Sequence, residues 1–294
     1  MRGLVKLHVP VKVRPPAWAL LLIPLVTGAL VMVGGGASSG RWGLHLAAGV
    51  LGVLGLAAIG AIPEKVVGRV AVFAAVVGAG VIASTLLGTG IEGVRRWHDL
   101  GVVRLHPSAL FGPPLLIFAA KRMSSRPRLA HVTLASLQVV HVLQPDAGQA
   151  TAFGAGAIVC TLVAGRGRLR YAWVFAHVAA ITVAWLRPDP LAPAPFVEDV
   201  VGRAFALGPL FGVLSVLSLA PIVLCPWVVG DESDSLDKQP VLPLSLTVYF
   251  VASLIVPALG EFPVPLLGFG ASPTLGAFFG LAALRGWRVT PRIR

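Results

Sequence analysis

The 294-residue sequence predicts an all-α, polytopic integral membrane protein of about ten transmembrane helices, a single membrane domain over 1–294. Three observations predict it. Only 12% of the residues are charged and 56% are hydrophobic, whereas a soluble domain carries about 25% charged residues. That density leaves too little polar surface to face water, so lipid must be the solvent. Apolar runs recur along the whole chain, most of them near the roughly 20 residues a bilayer span needs. Lys and Arg gather in short clusters between those runs, where orientation signals belong. The same placement excludes nucleic acid as a partner despite a net charge of +12, because nucleic-acid binders concentrate basic residues on one face or helix.

In chain order the expected spans are 17–36, 43–62, 68–88, 109–120, 130–143, 149–165, 171–186, 204–228, 241–259 and 264–284. The first follows Arg2, Lys6, Lys12 and Arg14 and resembles a signal peptide. Its length, and the Gly34-Gly35-Gly36-Ala37 step into further spans, predict an uncleaved first helix instead. The fourth and fifth are short, and the basic stretch from Lys121 to Arg128 gives them their turn. Pro113-Pro114, Pro221, Pro226 and Pro257 should kink or end helices. Ala48 with Gly52, and Ala150 with Gly154, are small residues four apart and predict close helix packing. Cys160 and Cys225 lie inside apolar runs and read as small buried residues, with neither metal-ligand spacing nor a disulfide framework.

Charge placement orients the bundle. With the N-terminus in the cytoplasm, 18 of the 24 basic residues fall on the cytoplasmic side and six fall outside: Arg41, Arg95, Arg96, Arg104, Arg187 and Arg203. That bias is what the positive-inside rule expects, and it places both termini in the cytoplasm. Seven of the twelve acids fall outside: Glu92, Asp99, Asp146, Asp189, Glu198, Asp199 and Glu261. Ionisable groups near lipid are costly and mark functional sites, so a site is expected at the outer boundary. Asp231, Glu232, Asp234 and Asp237 fall inside; without the glycine and terminal glutamate of a calcium loop they read as a solvated acidic loop, and no metal site is expected.

Three outer segments carry more than membrane composition. One runs from Gly90 to Gly101 (GIEGVRRWHDLG) and continues as Leu105-His106-Pro107-Ser108. A second is Leu143-Gln144-Pro145-Asp146-Ala147-Gly148-Gln149-Ala150, and a third runs from Gly260 to Ser272 (GEFPVPLLGFGAS). Together and in this order they resemble the SEDS family of FtsW, RodA and SpoVE, over about residues 17–284. Its members show G-A-R-R-W-L-N-L-G with Q-P-S-E, then Q-P-D-L-G-T, then G-I-P-L-P-F-V-S-Y-G-G-S.

The resemblance implies a peptidoglycan glycosyltransferase that joins lipid II units at the outer face of the cytoplasmic membrane, with a class B penicillin-binding transpeptidase as partner. The chemistry needs a carboxylate to accept the proton of the attacking hydroxyl and cations for the departing pyrophosphate. It names no cofactor, and a divalent cation stays open. The departures are specific. The family's Q-P-S-E reads His106-Pro107-Ser108-Ala109 here, and its nearby lysine is replaced near Gly112. The long loop before the eighth span, with its H-T-D-F-I-F-A stretch and catalytic aspartate, is shortened to Pro195-Phe196-Val197-Glu198-Asp199-Val200-Val201-Gly202. Glu198 or Asp199 takes that aspartate's place by position only.

Each candidate also has a structural reading. Asp146 follows Pro145 at a helix start and would cap free N–H groups there, or touch substrate. Arg95 and Arg96 flank Trp97 and are either interfacial anchors or a pyrophosphate clamp, with Arg203 beside them. His98 and His106 are loop histidines, with His106 the candidate substrate contact. Arginines near the Glu198-Asp199 pair should keep it ionised. The leading expectation is a divergent SEDS-type polymerase acting on a polyprenyl-pyrophosphate-linked sugar. Its rival is a non-catalytic relative that binds such a lipid or a division or elongation partner. A transporter is disfavoured, since no internal repeat is visible.

Overall fold

The computed structural model describes residues 17–101, 103–231 and 240–286. The basic N-terminal stretch, the acidic loop 232–237 and the C-terminal arginines lie outside the described residues. A short 3-10 turn, Ala17–Leu21, runs into α1 (Leu22–Gly34), followed by α2 (Ser39–Gly60), α3 (Glu64–Ser84), α4 (Pro107–Arg122) and α5 (Pro127–Leu143). Then come α6 (Ala147–Ala164), α7 (Leu169–Leu186), α8 (Val200–Leu207), α9 (Pro209–Leu217), α10 (Ala220–Asp231), α11 (Val241–Ile255) and α12 (Ala271–Gly286). With α9 and α10 taken as one crossing, 209–230, these supply the ten expected spans in order, and α8 is extra. Among the described residues, six helices are long and apolar enough to cross a membrane.

The centre of the bundle is α4, α6, α11 and α12, with α2 against the far side of α12. Leu116, Ile117, Phe153, Leu246, Phe278 and Leu281 are fully buried among them. By contrast α7 turns Phe175, Val178 and Leu186 outward, as a helix solvated by lipid does. Small residues set the spacing. A Cβ on Gly52 would come 2.3 Å from Phe278, and one on Gly154 2.6 Å from Gln138 and 2.8 Å from Ile181, so both expected small-residue positions lie at close helix contacts.

Three boundaries differ from the sequence expectation. Pro113 and Pro114 neither end nor replace α4, which runs through them. Each lacks the N–H that would bond the carbonyl four residues earlier, which frees Ala109 O and Leu110 O. The backbone of α12 fills the gap: a Cβ on Gly276 would lie 2.0 Å from Ala109 O and 3.2 Å from Leu110 O. Only a glycine lets the helices approach that closely.

The eighth span, expected over 204–228, breaks at Gly208, whose φ of 152° no L side chain adopts readily. Pro209 follows and disfavours helix at the residue before it. Thus α8 folds back on α9 and α1, with Phe205 packed over Gly212.

The tenth span begins at 271, not 264. Pro263 and Pro265 have no N–H to give a helix, and Leu266 takes a φ of 64°. Leu266 and Leu267 are fully buried all the same, with Leu267 O against Gly28 of α1. The segment pairs with the loop before α8 through Val264 N to Val197 O (3.3 Å) and Phe269 N to Phe196 O (2.6 Å). Its apolar residues are a plug in protein, which is where irregular backbone is tolerated in membrane proteins.

Candidate active site

The loop 85–106 carries a small hairpin, β1 (His98–Asp99) antiparallel to β2 (Arg104–Leu105). This loop meets those preceding α6, α8 and α12 at one end of the bundle. Gln144 is the buried hub. Its amide donates to Thr85 Oγ1 (2.7 Å) and Ile82 O (3.2 Å), and its carbonyl accepts from Ser108 Oγ (3.1 Å). Next to it, Pro145 O accepts two bonds from the buried Arg96 guanidinium, at 3.1 and 2.6 Å. Arg96 also pairs with Asp189 of the loop after α7 and lies 5.4 Å from the Trp97 ring and 5.7 Å from Phe262.

Asp146 caps α6, with Oδ1 accepting from Gln149 N at 3.0 Å. Its Oδ2 lies 3.2 Å from His106 Nε2. His106 Nδ1 accepts from Ala109 N at 3.2 Å, capping α4 in turn. A ring whose Nδ1 is an acceptor carries its proton on Nε2, so the histidine turns its N–H side to the aspartate. One imidazole thus joins two helix starts. His106 N donates to Ser272 Oγ at 2.8 Å, which ties the first segment to the third. Burial pushes the Asp146 carboxyl up, but the His106 bond and the Arg96 charge outweigh it and hold the group well below the usual carboxylate range.

These loops enclose a groove of two joined lobes. The first, about 280 Å³, is lined by Arg96, Trp97, Arg104, His106, Asp146, Gln149, Glu198, Tyr249 and Glu261 among others. Tyr249 donates to Gln149 Oε1 at 3.0 Å across its floor. The second, about 390 Å³, shares Trp97, Arg104, His106 and Glu198 with the first and adds Arg41, Phe269 and Ser272. Glu198 therefore borders both. Its Oε2 accepts from Ala194 N at 2.7 Å, and burial, with Glu261 and Asp199 nearby, pushes its carboxyl above the ordinary glutamate value.

The FtsW/RodA/SpoVE model, described as a cell cycle protein family, matches residues 25–196. The chain belongs to this family. Its fold is similar to that of RodA from Thermus thermophilus in two crystal structures, one of a single-residue variant. The wild type has a TM-score of 0.68 at 20% identity, covering 92% of this chain and 95% of that one. The variant has a TM-score of 0.68 at 19%, covering 92% and 96%. A chain from a structure entitled "Structural coordination of polymerization and crosslinking by a peptidoglycan synthase complex" has a TM-score of 0.61 at 20%, covering 91% and 96%. Among the curated proteins nothing matches.

In this FtsW/RodA/SpoVE member the groove gathers Arg96, His106, Asp146 and Glu198 of the expected site. Three expected residues do not line it. Arg95 is exposed and turns to Leu86 O at 3.1 Å, because adjacent residues of an extended segment point to opposite sides. Asp199 accepts from Phe196 N at 2.6 Å and from Arg203 Nε at 2.5 Å. Asp199 and Arg203 thus hold each other and the entry to α8. Arg41, Arg104, Glu261, Gln149 and Tyr249 were not singled out by the sequence. Arg41, Arg104 and Glu261 had a usable signal in a charge on the expected outer side, and Glu261 and Gln149 also lie within the recognised segments. Tyr249 lies within an apolar span and had none.

Proposed function

We propose that the chain is a divergent SEDS-type glycosyltransferase, polymerising a polyprenyl-pyrophosphate-linked peptidoglycan precursor of the lipid II type at the outer face of the cytoplasmic membrane. The observation that carries this reading is Glu198, half-buried at the junction of two lobes that also present arginines. In the reaction, an acceptor hydroxyl oxygen bonds to the anomeric carbon of the donor sugar. The bond from that carbon to the pyrophosphate oxygen breaks, and its electron pair leaves with the pyrophosphate. The hydroxyl proton passes to the Glu198 carboxylate.

Several features support Glu198 over Asp199 as the base. Asp199 has both oxygens engaged by Phe196 N and Arg203, whereas Glu198 is held by one backbone N–H and faces the groove. A carboxyl raised from its ordinary value is also the better proton acceptor once ionised. Family membership and the likeness to a chain of a peptidoglycan synthase complex support a transpeptidase as the working partner.

The test is polymerisation of lipid II by the purified protein in proteoliposomes, with and without a class B penicillin-binding protein. Glu198→Gln is expected to lower the rate by about 10²–10⁴-fold, the usual contribution of a general base, while Asp199→Asn retains activity if it folds. A wild-type protein that binds lipid II yet never polymerises it would establish the rival reading, a binding relative without turnover.

A further inference from the structure

Below the groove, α5, α6 and α7 bury polar side chains that no step above uses. The face that α5 turns inward is Ala130, His131, Leu134, Leu137, Gln138 and His141, half of it polar. The largely outward-facing α7 buries His177 and Ala184, and α6 buries Thr161 completely. Among the described residues, both ring nitrogens of His141, His131 Nδ1, His177 Nε2, Gln138 Oε1 and Thr161 Oγ1 have no hydrogen-bond partner in the protein. All five side chains are more than nine-tenths buried. Dry, such groups are destabilising, and polar side chains inside a membrane protein mark a function by default.

These atoms lie along one line. A Cβ on Gly154 of α6 would meet Gln138 Nε2 of α5 at 2.6 Å and Ile181 of α7 at 2.8 Å, so the three helices share a level there. Two helical turns, about seven residues, bring a helix back to the same face. Seven residues away from the groove, His131 on α5 and Thr161 on α6 therefore occupy that face again, at one level. His177, one turn from Ile181, falls between the two levels and is near enough to His131 for their charges to interact. Toward the groove, His141 is one turn beyond Gln138 and interacts in the same way with Asp146 and His106. At the far end His131 stacks on Trp173 at 5.0 Å, one turn from the start of α5. Successive polar groups are thus about one turn apart, ~5.4 Å, a gap that one bridging water closes with two hydrogen bonds.

We propose that α5, α6 and α7 enclose a file of water molecules that conducts protons between the far end of the bundle and the His106–Asp146 pair. Imidazoles suit the task, because one nitrogen accepts a proton while the other releases one. Each proton that enters at one end is matched by one that leaves at the other, and no other reactant is consumed. Gln138 does not titrate. Its Nε2 is fixed on Ala150 O at 2.7 Å, which leaves its carbonyl oxygen to orient a water of the file. Such a path lets the carboxylates of the groove exchange protons with the opposite side of the membrane. It does not depend on which reaction the groove performs.

The experiment reconstitutes the full chain in liposomes loaded with a fluorescent pH indicator and imposes an electrical potential with potassium and valinomycin. The wild type should change the internal pH faster than protein-free liposomes do. His177→Leu removes the central link and should slow the flux by about tenfold or more, the scale of one hydrogen bond to a charged group. Thr161→Val should also slow it. That change is isosteric at an unpartnered hydroxyl, so it reports on the path even if His177→Leu fails to fold. His98→Gln, altered outside the file, should conduct as the wild type does. A wild-type flux no faster than that of protein-free liposomes overturns the proposal. So does a flux left unchanged in a folded His177→Leu or in Thr161→Val, or lost equally in His98→Gln. Equal passage of sodium ions would mean an open pore and overturns it as well.

Discussion

Asp146 keeps a charge in the protein interior because three groups favour it: Gln149 N bonded to one oxygen, His106 Nε2 beside the other, and the Arg96 charge behind Pro145. Burying a carboxylate costs several kcal/mol, and removing one partner of such a set costs roughly 3–5 kcal/mol by stranding the others. Asp146→Leu should therefore lower stability by that amount, read as a fall in unfolding temperature in detergent. Asp146→Asn is more telling. Its oxygen can still cap Gln149, but its NH2 would then face the His106 Nε2–H, donor against donor. Relief requires the other tautomer, which gives up the Ala109 cap, so a loss of about 1 kcal/mol is expected from that cap alone. The pH dependence has a defined sign. The folded Asp146 carboxyl sits below its unfolded value, so its stabilisation is present above the ordinary aspartate pKa, roughly 3.9, and is lost as pH falls toward the folded value. Glu198 is shifted the other way, and a base works only when ionised. The acid limb of the polymerisation profile should therefore lie above the ordinary glutamate range, and Glu261→Gln, which removes a nearby negative charge, should move it to lower pH. The sequence supplied Glu198 and Asp199 as an undivided pair, with nearby arginines expected to keep both ionised. Burial and the neighbouring acids dominate at Glu198 instead, and Asp199 alone obtained the arginine.

At the level of elements, most helices were legible because hydropathy reports burial in lipid or protein directly, and span order needs no more than that. What hydropathy cannot report is whether an apolar residue lies in a helix. Val264, Leu266 and Leu267 are as apolar as any span, yet they form a non-helical plug between α11 and α12. Only Pro263 and Pro265 betray it. The reverse holds for α4, whose two prolines, expected to kink or end a helix, lie inside it with a neighbouring helix packed on the freed carbonyls. That account makes a prediction. Gly276→Ala would place a methyl on Ala109 O, a backbone atom that cannot rotate away. Overpacking of this kind costs about 1–3 kcal/mol, and since α4 begins at the His106 cap, displacement of α4 should disturb the groove as well. Gly60→Ala, at a glycine with nothing within 4 Å of the added carbon, is the matched control and should leave both stability and lipid II polymerisation unchanged. Equal behaviour of the two variants would remove the role assigned to the freed carbonyls.

For the whole molecule the open variable is which side of the membrane the groove faces. The loops after α1, α3, α5, α7 and α11 converge there, joined by Gly35 against Phe196, Arg96 to Pro145 O and Asp189, and Phe196 O to Phe269 N. Arginines at this end are partly neutralised, with Arg96, Arg104 and Arg203 each paired to an aspartate. At the opposite ends of the helices, Lys121, Arg122, Arg126, Arg128, Arg166, Arg168 and Arg170 cluster in two short connections with no acidic residue among them. Orientation follows such Lys and Arg bias in short loops, so the groove should face away from the cytoplasm, where a lipid-linked precursor would be polymerised. Asp99 and Ser125 are exposed positions on the two sides, and Cys160 and Cys225 are buried and give little background. A membrane-impermeant maleimide added to intact cells should label Asp99→Cys and leave Ser125→Cys unlabelled until the membrane is opened. The reversed pattern would put the groove in the cytoplasm and defeat the polymerase reading. Labelling of both positions from outside would overturn the bundle topology itself, because α4 alone separates the hairpin from the loop that holds Ser125.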